Sequence, residues 1–457
     1  MTYQQIKEAI DQGRTFHLCG IGGVSMRALA GLLQNMGAKV QGSDRDHSPA
    51  VAKLRQQGIT VFIGHDASQL GDASIVIRTA AVKDNNPEIA EARRRGLPVL
   101  ERAQAWGLLM QGYRHAVCVA GTHGKTSTTS MLTEVLLCAH MDPTVMVGGE
   151  LPMIGGSLRI GGRDLFIAEA CEYKNSFLSF LPTIAVLLNI QRDHLDFFTD
   201  MEDIIHSFRQ FALLVPPDEG LVVANGEDEN VARALEGSGR RTIYFGLGES
   251  CDVHPGQVEC NQGYYSFDIY CYGTFYCRAT LQVPGEHNMK NALAAAAACY
   301  ELGVPGKVFA AGVGGYTGVG RRFERKGTFQ GAVVYDDYAH HPDEIEASLK
   351  TAKSMGYNRV ICVFQPHTYT RTISLLDDFA IALSHADIAV LTEIYAARES
   401  NVNHISSKML VDKIPGAVFA PTFDDAIRFL KEQARPGDLI FTMGAGDITK
   451  LYDLLQE

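Results

Sequence analysis

Residues 117–129 read VCVAGTHGKTSTT: a short apolar, β-prone run, a glycine-bracketed loop ending in Lys, Thr and Ser, and then helix-forming sequence. That is the layout of a phosphate-binding loop. Gly121 and Gly124 allow a tight turn in which backbone N–H groups, those of Thr122 and His123 among them, face phosphate oxygens. Lys125 has the reach for β and γ phosphates, the Thr126 hydroxyl suits Mg²⁺, and Ser127 lies in the first turn of a helix whose positive end faces the same anion. The usual form of the loop has one more glycine, where this chain has Val119, so the loop is a shortened variant. The bland alternative is a glycine-rich turn before a helix, with a chance lysine.

Around that loop the chain has the size and composition of a globular protein of several domains. Its 457 residues correspond to about three domains. With 46% hydrophobic and 20% charged residues, global disorder is excluded. The net charge of −11 argues against nonspecific binding to nucleic acid or anionic membranes, while leaving room for a local basic pocket. Ten cysteines contain no C-x-x-C pair, and Cys118, Cys138, Cys299 and Cys362 sit in apolar runs. Buried reduced thiols are expected, not disulfides or a zinc knot. The opening MTYQQIKEAIDQG carries no signal-like apolar stretch and no apolar run approaches a membrane span, so a cytoplasmic location without membrane insertion is expected. No motif speaks to oligomeric state.

Three strand-loop-helix starts organise the sequence. The first, TFHLCGIGGVSMRALA at 15–30, brings a strand to Gly20, Gly22 and Gly23, with Ser25 where a dinucleotide fingerprint has its third glycine. A second strand ends at Ser43 and Asp44, where such folds place a ribose-binding carboxylate, and a third runs through 75–79 to Thr79. NAD binding, another nucleotide and a purely structural turn all remain open for this loop. The second start is the phosphate loop. It is followed by strands near 165–168, 184–188 and 221–224, by an aromatic-polar alternation at 251–284 that reads as antiparallel strands, and by the Ala-rich helix at 291–300. A glycine patch at 312–320 reads as a linker and a hinge. After it, strands at 332–335, 359–364, 388–391 and 439–442 predict a second doubly wound sheet.

Polar clusters recur at strand ends, where α/β folds place ligands. Glu169 follows an apolar strand and suits a second Mg²⁺ contact. Asp193-His194-Leu195-Asp196 follows another strand in the same way. Asn288 and Asn291 open the Ala-rich helix, as a cap or as adenine contacts. Arg321-Arg322 offers two guanidiniums at a domain junction. DDYAHHPDE (336–344), FQPHTYTRT (364–372) and GAGD (444–447) line one edge of the third sheet.

In order and spacing, GIGGVSM, GTHGKTSTT, EACEY, DHLD, HNMKN, GRRFE, DDYAHHPDE, FQPHTYTRT and GAGD resemble the Mur ligase family of ATP-dependent amide-forming enzymes, nearly end to end. The resemblance implies a three-domain α/β chain. It would comprise an N-terminal Rossmann-like domain for a UDP-sugar (1–112), a central P-loop ATPase domain with added antiparallel strands (113–320) and a C-terminal Rossmann-like domain for an amino acid (321–457). On that footing Gly20, Gly22, Gly23, Ser43, Asp44 and Thr79 would hold the UDP-sugar. The loop Gly121–Ser127, with Asn288, Asn291, Arg322 and Asp337, would hold ATP. Thr126, Glu169 and His194 would hold Mg²⁺, and His341 and Arg371 would meet the amino acid. Lys125, Glu169, His194, Arg322, Asp337 and His341 would form the catalytic set.

The chemistry implied is attack of the lactyl carboxylate of UDP-N-acetylmuramate on the γ-phosphorus of ATP, then capture of the acyl phosphate by L-alanine. Addition of an intact murein tripeptide to the same sugar nucleotide is the alternative within the family, and a nicotinamide-dependent oxidoreductase the alternative outside it. Two positions depart from many alanine-adding members, Cys171 for Asp and Thr368 for Arg, and the sequence does not separate alanine from glycine or serine as acceptor.

Overall fold

The computed structural model describes residues 1–195, 197–397, 399–401 and 404–456; Asp196 of the DHLD cluster and the terminal Glu457 of the 321–457 unit therefore lie outside the described residues. Three sheets follow one another along the chain. The first contains β1 (Thr15–Cys19), β2 (Lys39–Asp44), β3 (Thr60–Ile63), β4 (Ile75–Arg78) and β5 (Val99–Glu101), all parallel, in the order β3-β2-β1-β4-β5. The order in which strands are added reverses between β1 and β4, which puts a crevice at their C-terminal ends.

The second sheet has ten strands: β6 (His115–Ala120), β7 (Thr144–Leu151), β8 (Gly156–Arg159), β9 (Leu165–Glu169), β10 (Ile184–Leu187), β11 (Leu221–Asn225), β12 (Thr242–Phe245), β13 (Val253–Asn261), β14 (Tyr264–Cys271) and β15 (Thr274–Thr280). Their order is β15-β14-β13-β12-β11-β10-β6-β9-β7-β8, with β6 between parallel neighbours β10 and β9. The aromatic alternation after residue 251 becomes the antiparallel meander β13–β15 at one edge, as its period-2 pattern required. The third sheet runs β16 (Glu324–Phe329), β17 (Ala332–Asp337), β21 (Leu439–Met443), β18 (Val360–Phe364), β19 (Ile388–Leu391) and β20 (Val418–Phe419).

The inner strands β1, β10, β18 and β21 are mostly apolar and buried along their whole length, whereas β3, β13 and β16 are partly exposed. The helix Glu286–Glu301 spends its small side chains on close packing, with residues 292–299 all buried. The helix Lys125–Cys138 packs against the helix Gly306–Gly315, where a Cβ on Gly312 would stand 2.6 Å from the Val135 backbone. Gly312–Gly315 thus belong to a helix. The glycine patch expected at 312–320 as a linker and hinge shortens to the residues after 315, and even there Tyr316 and Val319 are buried.

The first and second units share one continuous apolar core. Trp106, 1% exposed, packs on Phe166 with ring centroids 5.8 Å apart, a burial worth roughly 2–3 kcal/mol. Its indole N–H donates to Ser25 Oγ (3.2 Å), and that hydroxyl faces Met146 Sδ at 3.8 Å. The residue standing for the third glycine is therefore a tie between the first two units.

Six strands have no counterpart in the sequence pattern: β3, β7, β8, β12, β16 and β20. β3 is short and half exposed, and β16 runs antiparallel at the edge of the third sheet. All ten cysteines are free. Cys138, Cys171 and Cys260 are exposed, and Cys138 closes a helix where the sequence suggested burial. Among the described residues no helix is long and apolar enough to cross a membrane.

Candidate active site

β6 delivers the phosphate loop to the middle of the second sheet, and Gly124 sits at φ +83° as the N-cap of the following helix. Only glycine fits this position, because a Cβ there would also stand 2.6 Å from Asn291 Oδ1. The loop is clamped from beside β10: His123 N–H donates to Asn189 Oδ1 (2.8 Å), and Asn189 Nδ2 donates back to the His123 carbonyl (3.1 Å).

Lys125 reaches across the loop and donates to the Thr122 carbonyl (3.0 Å) and to both carboxylate oxygens of Glu172 (3.0 and 3.2 Å). Burial alone would lower the ammonium pKa, but the Glu172 carboxylate holds it above the ordinary lysine value. Glu169, at the end of β9, is pushed up by burial against the opposing pull of the Gly148 N–H and the Thr126 hydroxyl. Its Oε1 is buried and has no hydrogen-bond partner among the described residues. A Cβ on Gly148 would close to 2.5 Å of Glu169 Oε2. A hydroxyl and an orphaned carboxylate oxygen beside the phosphate loop are hard oxygen donors of the kind Mg²⁺ takes, so these residues fit that ion.

His194 places Nε2 3.7 Å from Glu172 and 3.8 Å from Asp193 Oδ2, and its ring lies on Tyr173 with centroids 4.6 Å apart. Asp193 accepts from Arg371 Nη2 (2.8 Å) and Nε (3.3 Å), a contact between the second and third units. Burial opposes that carboxylate, yet Arg371 and His194 beside it hold its pKa far below the usual range. Arg371, expected to meet an amino-acid carboxylate, is thus engaged by Asp193 beside a small cavity of about 30 Å³ that Thr368 also lines.

The third unit roofs the loop. A cavity of about 370 Å³ is lined by His123, Gly124, Ser127, Asn288 and Asn291 from below and by Arg322, Asp337, Glu344 and Ser348 from above. Asn288 donates Nδ2 to the Pro284 carbonyl (2.7 Å), and Asn291 donates to Asn288 Oδ1 (3.3 Å). Gly285 is the N-cap of their helix, so capping is not the role of either asparagine.

The two arginines diverge. Arg321 is rooted in the third sheet through Asp336 (3.2 Å) and the Gly444 carbonyl (2.6 Å), whereas Arg322 lines the cavity, 3.7 Å from Glu344; the Tyr338 ring lies under both guanidiniums. The aspartates divide in the same way. Asp336 is fully buried with Thr442 (2.7 Å) and Thr449 (3.0 Å), while Asp337 faces the cavity. Burial raises Asp337 to about 6, although Ser348 and Arg322 favour its charge. His341 caps the helix Pro342–Ser354 and points Nε2 at the Arg192 carbonyl (2.9 Å). Burial, with His123 nearby, pushes its pKa down.

At the crevice of the first sheet, Gly20, Gly22, Gly23, Asp44 and Thr79 gather at the ends of β1, β2 and β4. Asp44 Oδ2 accepts from the Gly22 N–H (2.7 Å) and so braces the glycine loop itself. Ser43 differs from expectation: its side chain is 0% exposed and donates to Glu88 (2.7 Å), on the side of the sheet away from the loop. Sequence reasoning also passed over Glu172 and Glu344 as individual residues, although both stood inside quoted motifs. Their signal was position, three residues after Glu169 and three after His341, which only the fold converts into contact with Lys125 and His123.

A phosphate loop on a parallel sheet, walled by a glycine-loop domain and roofed by a third domain, defines a class: the chain belongs to the Mur ligase family. Residues 15–114 match the profile described as Mur ligase family, catalytic domain; 119–299 the Mur ligase middle domain; and 321–446 the Mur ligase, glutamate ligase domain. Within the family, the chain is 44% identical to the UDP-N-acetylmuramate–L-alanine ligase of Clostridium novyi over 98% of both chains. It is 46% identical to that of Acetivibrio thermocellus over 96% of this chain and 94% of the relative. Among solved structures it is similar to the UDP-N-acetylmuramate–alanine ligase of Thermotoga maritima (29% identity, TM-score 0.78, covering 97% and 98%). It is also similar to a murein peptide ligase of Psychrobacter arcticus (26%, TM-score 0.71, covering 97% and 98%).

Proposed function

We propose that this protein is an ATP-dependent ligase that joins L-alanine to the lactyl carboxylate of UDP-N-acetylmuramate, a step of peptidoglycan precursor synthesis in the cytoplasm. The observation that carries the reading is 44–46% identity to L-alanine ligases over nearly the whole chain. The murein peptide ligase of Psychrobacter arcticus shares the architecture at 26% identity. The divisions 1–112, 113–320 and 321–457 would then serve the sugar nucleotide, ATP and the amino acid.

The lactyl carboxylate attacks the γ-phosphorus, the bond to ADP breaks, and an acyl phosphate forms. The alanine amine attacks its carbonyl carbon, loses a proton and expels phosphate. Both steps gather negative charge on crowded oxygens, and fixed cations in a site closed to water stabilise that charge. Lys125 supplies one from below and Arg322 one from above. Glu172 keeps Lys125 extended across the loop, and the Asn189 clamp holds the backbone donors in register. Mg²⁺, when bound by Thr126 and Glu169 with His194 nearby, supplies further charge neutralisation on the phosphates. Asp193 sets the Arg371 guanidinium for the amino acid's carboxylate, and His341 holds the third domain against the second through the Arg192 carbonyl.

The test is phosphate release from ATP and Mg²⁺ with UDP-N-acetylmuramate, comparing L-alanine, glycine, L-serine, the tripeptide and no acceptor. Release that needs both the sugar nucleotide and L-alanine is expected. Dependence on the tripeptide alone would transfer the assignment to a peptide ligase, and indifference to the sugar nucleotide would overturn the reading of the first domain.

A further inference from the structure

Imidazoles from two domains meet where the phosphate loop faces the start of the helix Pro342–Ser354. His123, His341 and Asp343 each bring a ligand atom within 4.8 Å of the other two. The orientation of their lone pairs separates this group from an ordinary polar cluster. His341 points Nε2 at the Arg192 carbonyl (2.9 Å), which fixes the proton there and leaves Nδ1 with a lone pair. That lone pair accepts the long helix-cap contact from the Asp343 N–H (3.4 Å) and stands 3.8 Å from Asp343 Oδ2. Glu344 Oε1 lies 3.0 Å from His123 Nδ1, a carboxylate that favours the proton on that nitrogen. His123 Nε2 is then a buried acceptor with no hydrogen-bond partner among the described residues. His341 thus has an acceptor behind Nε2 and an Nδ1 lone pair held only by the long cap contact. His123 has a carboxylate beside Nδ1 and a buried Nε2 in front. The two rings approach the outer-shell arrangement of metal-binding histidines.

A second group, His17, Cys19 and Glu88, lacks this property. Gln41 Nε2 donates to the Gln69 and Leu70 carbonyls and faces His17 Nδ1 (3.2 Å), so the His17 proton sits on Nε2, toward Glu88 (3.2 Å). Glu88 also accepts from Ser43. Both His17 ring nitrogens and both Glu88 oxygens are thus engaged in hydrogen bonds among the described residues.

We propose that His123, His341 and Asp343 form a site for a divalent transition-metal ion with imidazole preference, bridging the phosphate loop and the third domain. Two imidazoles and one carboxylate suit Co²⁺, Ni²⁺ or Zn²⁺ and leave a position for water. Ligand atoms on a tetrahedral ion stand about 3.3 Å apart, and Asp343, with its side chain 47% exposed, has the freedom to close the remaining gap. A cavity of about 300 Å³ lined by His341 and Asp343 gives access from outside the nucleotide cavity. Asp343 and Glu344 balance the ion's charge against Arg322, 3.7 Å from Glu344. The site is separate from Thr126 and Glu169, whose oxygens suit Mg²⁺. An ion there holds two domains in one arrangement, so occupancy stabilises the chain by mass action.

The experiment is titration of the full-length, metal-free protein with Co²⁺ in saturating Mg²⁺ and without substrates. Visible absorption and thermal unfolding are the readouts, so the result does not depend on the proposed ligase activity. One Co²⁺ per chain that Mg²⁺ does not displace is expected, with a spectrum free of thiolate charge transfer and a raised Tm. Asp343→Asn weakens it at least tenfold, and His123→Gln abolishes the spectrum. Absence of such a Co²⁺, or wild-type binding by both variants, overturns the proposal. If His123→Gln fails to fold, Asp343→Asn decides alone, since its residue lies exposed in the first turn of its helix.

Discussion

Lys125 and Glu172 form a buried ion pair across the phosphate loop, at 3.0 Å, with side chains 17% and 3% exposed. In the proposed reaction the nucleotide phosphates compete with Glu172 for the Lys125 ammonium. Glu172→Gln leaves the ammonium buried without its counter-ion, at a cost of roughly 3–5 kcal/mol. The nucleotide-free variant is therefore expected to melt lower than the wild type, and ATP with Mg²⁺ to raise its Tm by more than it raises the wild type's. Equal ATP-induced shifts in the two proteins would show that the phosphates do not replace Glu172.

Gly124→Ala meets two obstacles at once, a left-handed backbone at φ +83° and the Asn291 amide 2.6 Å from the new methyl group. The strain alone is on the order of 1–2 kcal/mol. Calorimetry should find ATP binding weakened at least tenfold and UDP-N-acetylmuramate binding unchanged. Weakening of both would mean that the loop's distortion spreads to the first domain.

Asp337 gives a pH signature. Its folded-state pKa of about 6 exceeds the ordinary 3.8, so its contribution is fully favourable below 3.8 and is lost as pH rises through 6. Above that, the buried charge costs about 3 kcal/mol relative to an unshifted carboxylate. Asp337→Asn should be more stable than the wild type at pH 8 and lose that advantage toward pH 4, while turnover falls. Melting curves across this range check the sign; a pH-independent difference would show that Asp337 does not titrate there.

Arg371→Lys keeps the charge but not the fork that engages Asp193 through two nitrogens. The KM for the amino acid should rise about tenfold or more, with the KM for ATP little changed. A parallel rise in both would make the contact a domain brace and remove it from amino-acid recognition.

What the sequence disclosed follows a physical division. The loops after β1, β6, β9 and β17 were readable because strand-end chemistry in α/β sheets is local: apolar strand, glycine or carboxylate, helix. Ser43 differs because successive side chains on a strand face opposite sides: Asp44 turns to the glycine loop and Ser43 to Glu88, and which of the two meets the loop is set by packing outside the motif. The glycines at 312–315 looked like a linker because absence of a side chain signals either flexibility or close packing, and Val135, which tells the two apart, is far away in sequence. Partnerships such as Lys125 with Glu172, His123 with Glu344 and Arg371 with Asp193 join separate strand ends, and no spacing rule reaches across them.

Arg321 and Arg322 are adjacent in the chain, yet one is bound into the third sheet and the other projects over the phosphate loop. The cation above the cavity therefore travels with the domain that carries it. On the proposed reaction, withdrawal of that domain removes Arg322 and admits water in a single movement. The lifetime of the acyl phosphate then becomes a clock set by the junction, and its loss to hydrolysis should vary with the rate of domain departure, even with every reacting group intact.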